Sequence, residues 1–136
     1  MPAPSTYDYA MIRVVPRVER EEFVNVGVVV SCPEHGFLEA RIEIDAQRIA
    51  ALDPTLDLDA IRAHLAIIPV ICQGGEAAGP IGRLSARERF RWLTAPRSAA
   101  IQLSPAHTGR CDDPQALLER LLQTMVRRPG TPSSAQ

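Results

Sequence analysis

The 136-residue chain is 46% apolar and 23% charged, with a formal net charge of −1; it fits one soluble domain able to bury a core without disulfides or structural metal. A charge this close to zero excludes a global field for polyanions, so any nucleic-acid affinity would need a local patch. All 15 basic residues are arginine, which excludes a P-loop lysine and Schiff-base chemistry and supplies guanidinium forks suited to carboxylate and phosphate oxygens.

Met1–Thr6 reads as a flexible tail. Three segments of period two follow, over Tyr7–Val15, Phe23–Val30 and Phe37–Ile44, and predict an antiparallel meander. Valines 24, 26, 28 and 30 mark its single buried face, with Arg13, Asn25, Arg41 and Glu43 opposite. The first connection, Pro16–Glu22, is long and charged; the second, Cys32–Gly36, has the composition of a hairpin loop. A short helix over Ala46–Leu52 is stopped by Asp53-Pro54. From Asp57 to Cys72 apolar residues recur at helical spacing, with Pro69 set to kink or end the helix and Gly74-Gly75 to terminate it.

Ser85-Ala-Arg-Glu88 is a capping-box pattern, which predicts a helix from near Ala86 to just before Pro96. Leu84, Trp92 and Leu93 supply core-facing positions; on the alternative packing, Phe90 and Leu93 turn inward and the arginines pair with acidic residues. Residues 99–103 form a fourth strand, and Ser104–Arg110 is a loop rich in turn residues. Asp113 and Pro114 then open a last helix as N-cap and N1, with Leu117, Leu118, Leu121, Leu122 and Met125 on its apolar face. Pro129–Gln136 is a second tail, so one domain spans 7–128. Strands, then helices, then a strand and a helix make an α+β fold: a three-stranded meander packed with three to four helices, plus a fourth strand near 99–103.

Three cysteines, an odd number with no Cys-x-x-Cys, point to a reducing compartment. With no leader-like opening and no apolar run near 18 residues, the chain is expected to be cytoplasmic and not membrane-bound.

Three stretches carry a family resemblance: Tyr7-Asp-Tyr-Ala-Met-Ile-Arg-Val-Val-Pro-Arg-Val-Glu-Arg-Glu-Glu-Phe-Val-Asn-Val-Gly-Val, Arg89-Phe-Arg-Trp-Leu-Thr-Ala-Pro-Arg97 and Ser104-Pro-Ala-His-Thr-Gly109. Together they resemble an uncharacterised bacterial domain-of-unknown-function family, number 3037. The resemblance implies no reaction and no cofactor. It does imply an accessory role, since such proteins are often encoded near kinase-like proteins of the toxin–antitoxin HipA type.

The arginine cluster around the one tryptophan is the first candidate site. Arg87, Arg91, Trp92 and Arg97, with His107 in the following loop, would engage a phosphate-bearing ligand, a nucleic acid or an acidic protein partner. Arg13, Asn25 and Glu43 on the polar sheet face, opened by Gly27, are the second candidate set. A non-catalytic binding or accessory module is the expected function. The alternative is a metal-dependent phosphoester or nucleotide hydrolase, with Glu43 or the Glu19–Glu22 run on the metal and arginines neutralising charge. Cys32-x-x-His35 and His107-x-x-x-Cys111 also make a formal Cys2His2 set, but Cys32 ends a valine-rich strand and suits a core, so no metal is expected.

Overall fold

Strand β1 (Ser5–Val14) runs through the middle of an antiparallel sheet and carries partners along both sides. This computed structural model describes residues 4–97 and 99–130. On one side lie β2 (Val24–Cys32) and then β3 (Phe37–Ile42), completing the expected meander. On the other side, β4 (Ile101–Leu103) pairs with Ile12–Val14 and β5 (His107–Cys111) pairs with Ser5–Tyr9, so the two share one flank end to end. The expected fourth strand forms, over Ile101–Leu103 within the 99–103 anticipated. Two boundaries differ: the segment expected as a loop forms β5, and Ser5 and Thr6, expected as tail, open β1 opposite Cys111 and Arg110. Of the two expected tails, 1–6 and 129–136, residues 1–3 and 131–136 lie outside the described residues.

The expectation of one buried face is overturned. Both faces carry a hydrophobic core, and a bulge in β2 explains how a single strand feeds the two. Ile12 is opposite Gly27 while Arg13 is opposite Asn25, so Val26 is an extra residue and the in–out alternation changes phase there. Val24, Val26 and Val29 join the first core with Ile12, Val14 and Leu38, whereas Val28 and Val30 join the second with Met11. Gly27 is required at this point. A Cβ there would stand 2.5 Å from the Arg41 carbonyl oxygen and 3.1 Å from Ile12 Cδ1.

The first core is roofed by α1 (Ala46–Leu52), α2 (Leu58–Leu65), α3 (Ile67–Gln73) and α4 (Ala86–Thr94). The break between α2 and α3 falls at Ala66, which leaves Pro69 in the first turn of α3, where its missing N–H costs nothing. Gly74, at φ 74°, ends α3. The second core is closed by α5 (Pro114–Leu121) and a π-helical turn (Leu122–Val126), which contribute Leu117, Leu118, Leu121, Leu122 and Val126. Asp113 caps α5 by accepting from the Gln115 and Ala116 N–H groups.

Candidate functional site

The capping box forms as expected: Ser85 Oγ accepts from Glu88 N–H at 3.2 Å and Glu88 Oε1 accepts from Ser85 N–H at 3.1 Å. Phe90 and Leu93 are buried, while Trp92 is 40% exposed and not a core residue. Two of the surrounding arginines act on backbone carbonyls and not on acidic residues. Arg89 Nη1 donates to Ile71 O (2.9 Å) and Cys72 O (2.7 Å), and its Nε donates to Leu84 O. It thereby fastens the end of α3 to α4, a role the sequence did not single out. Arg97 returns from beyond α4 to donate to Leu93 O (3.1 Å) and Trp92 O (2.7 Å), with its guanidinium 4.4 Å from the Trp92 ring centroid. That stack combines helix capping with a cation–π contact and fixes the tryptophan at the surface. Arg87 and Arg91 are exposed on α4.

Two hollows meet at Arg97. On the first-core side, a groove of about 460 Å³ runs between α2–α3, α4 and β4, bounded by His64, Ile67, Ile68, Trp92, Ile101 and Leu103. Ile67, 52% exposed, and Trp92 form its open walls. On the second-core side, a hollow of about 300 Å³ holds Arg13, Phe23, Arg97, Gln102 and Glu21. There the Arg13 guanidinium lies 4.0 Å over the Phe23 ring, and its buried Nε has no hydrogen-bond partner. Glu21 is the one non-glycine residue among those described with positive φ, at 57°. Arg13 and Arg97, predicted on separate grounds, are thus brought into one hollow beside β4. Ile67, Phe23 and Gln102 were not anticipated. The one legible hint was the Ile67-Ile68 pair, since a helix of this amphipathic kind buries one of two adjacent residues more readily than both.

The rest of the polar sheet face belongs to the fold. Asn25, beside Arg13 in the register, donates from Nδ2 to Met125 O at 3.2 Å, and its Oδ1 is buried without a partner. Glu43 is gripped by Arg127 through both carboxylate oxygens, Nε to Oε1 at 2.7 Å and Nη2 to Oε2 at 2.6 Å, while Arg127 Nη1 reaches Glu119 at 2.8 Å. Arg41 also bonds Glu119, at 2.6 Å. These arginines hold the carboxyls of Glu43 and Glu119 below the usual range, Arg127 contributing most to each. Glu43 therefore clamps the C-terminal segment onto the sheet and does not converge with the arginine helix. His107, on β5, packs against Tyr9 with ring centroids 5.3 Å apart, on the sheet face away from α4. It does not join the arginine–tryptophan cluster, with which it was expected to form one site.

The metal alternatives are not assembled. Among the described residues no group of three or more His, Cys, Asp or Glu side chains could hold a metal ion. Glu19 faces Arg17 and Glu22 pairs with Arg20, and His35 contacts Ser5 Oγ. All three cysteines are free and buried; burial pushes the Cys72 thiol up to about 12 and also raises Cys111. No single described helix is long and apolar enough to cross a membrane.

A family model described as "Protein of unknown function (DUF3037)" matches residues 9–126. No curated protein and no solved structure matches the chain.

Proposed function

We propose that this chain, which belongs to the DUF3037 family, is a cytoplasmic, non-catalytic binding module that engages an acidic protein partner through the surface around Trp92 and Arg97. The observation that carries this is the placement of a tryptophan on the outside, held by an arginine stacked 4.4 Å from its ring, at the mouth of a 460 Å³ apolar groove. Aromatic and arginine side chains fixed in this way are the usual energetic centres of protein interfaces, and their preorganisation lowers the ordering cost of binding. The groove is larger and more apolar than a phosphate alone needs, which favours a protein segment over a free phosphate ligand. Three buried thiols suit a reducing compartment.

Selection of displayed random peptides against the purified chain tests this. Sequences that join apolar residues to carboxylates should be enriched. Ile67→Glu and Trp92→Ala should each weaken the selected peptides by about tenfold or more. For Ile67→Glu, an exposed substitution, the melting temperature should stay within about 2 °C. Failure to enrich any peptide, or binding by both variants as tight as by the wild-type chain, would refute the proposal.

A further inference from the structure

Building on that surface, we infer that the partner docks by adding a strand to the open edge of β4, as an extended segment whose side chains alternate between apolar and carboxylate. The ladder sets which backbone groups are available. Val15 N–H donates to Ala100 O and Ser104 N–H donates to Met11 O, both within 2.9 Å. With Arg13 opposite Gln102, residues 100, 102 and 104 therefore direct their backbone groups at β1. Ile101 and Leu103 direct theirs outward, and among the described residues β4 pairs with β1 alone.

The two sides of that edge have opposite chemistry. Ile101 and Leu103 wall the apolar groove opposite Ile67 and Trp92. Gln102 lies on the other face, in the hollow that holds both Arg13 and Arg97. In an antiparallel pair, residues directly opposite share a face. A segment residue opposite Gln102 would extend the row Asn25–Arg13–Gln102 and meet two guanidiniums, one with an unpartnered buried Nε. A carboxylate suits that place, and Glu21 is the one acidic side chain lining the hollow. The residues on either side of it would enter the 460 Å³ groove, where aliphatic or aromatic side chains suit. Adjacent positions thus require opposite chemistry, a period of two that an extended chain supplies and a helix, at 3.6, does not.

The test uses the whole chain and a dye-labelled, capped heptapeptide in which valine or leucine alternates with glutamate, read by fluorescence anisotropy. The alternating peptide should bind at least about tenfold more tightly than the same residues in block order. Methylating one alternate set of peptide nitrogens should abolish binding, and methylating the other set should leave it intact, because only every second residue bonds to β4. Arg13→Gln should weaken the glutamate peptide and leave its glutamine analogue unchanged. If block-order peptides bind as well, or both methylation patterns act equally while Ile67→Glu still abolishes binding, strand addition is wrong and the groove surface stands. If no peptide binds, both fall.

Discussion

Replacing Arg127 by methionine isolates the clamp that holds the C-terminal segment on the sheet. The Arg127 side chain is 6% exposed and donates to Glu43 at 2.6 and 2.7 Å, to Glu119 at 2.8 Å and to Gln123 at 2.9 Å. Deleting one partner of a buried pair costs about 3–5 kcal/mol, because the other charge is left desolvated. Here Glu43 is 34% and Glu119 18% exposed, and Arg41 remains beside both. Solvent screening and that second arginine bring the expected loss to about 2–3 kcal/mol, or roughly 10 °C in melting temperature for a chain of this size. The pH dependence follows from the two carboxyls, whose pKa values Arg127 lowers below 4.5 in the folded state. Their contribution is complete above the unfolded value and is lost as pH falls through the folded values. Urea denaturation should therefore show the full gap between wild type and variant at neutral pH, narrowing below about pH 4. A gap under about 0.5 kcal/mol at neutral pH, or one that widens on acidification, would refute the clamp.

Gly27→Ala should destabilise by about 2 kcal/mol or more, since the new methyl meets the Arg41 carbonyl oxygen at 2.5 Å and that oxygen belongs to the sheet. Chemical denaturation measures this, and a neutral result would mean that the bulge relaxes freely. Arg89→Met should cost about 2 kcal/mol through the carbonyls of Ile71, Cys72 and Leu84 that lose their donor. It should also speed amide exchange around Gly74, and unchanged exchange there would show that α3 is held by packing alone.

Local chemistry made much of the fold legible. Ser85 and Glu88 cap α4, and Asp113-Pro114 opens α5; each signal lies within four residues of its effect, so the sequence carries it whole. The phase change in β2 was not legible. Valines at 24, 26, 28 and 30 fit one unbroken alternation, and the Val28-Val29-Val30 run hides a change of phase; only the pairing with β1 reveals that Val26 is supernumerary. Without that bulge one face looked polar, although its charged residues are covered by a segment about 80 residues later in the chain (Glu43 to Arg127, 84 apart). The site was legible in part. Guanidinium chemistry singled out Arg13 and Arg97, and Trp92 stood out as the one tryptophan, but pairing between β1 and β4 is what brings the two arginines together. Arg89 and Arg97 also show why counting arginines overstates a binding surface: much of their hydrogen-bonding capacity is spent on helix-end carbonyls.

Sharing β2 between two hydrophobic layers couples them to each other. Val24, Val26 and Val29 answer to the helical roof, and Val28 and Val30 to the C-terminal segment, so neither layer can melt without unloading a strand the other depends on. Severing α5 would bare Met11, Val28 and Val30 in the middle of the sheet. The β4 edge lines hollows on both sides of the sheet, so a partner docked there as proposed would sense the integrity of both layers.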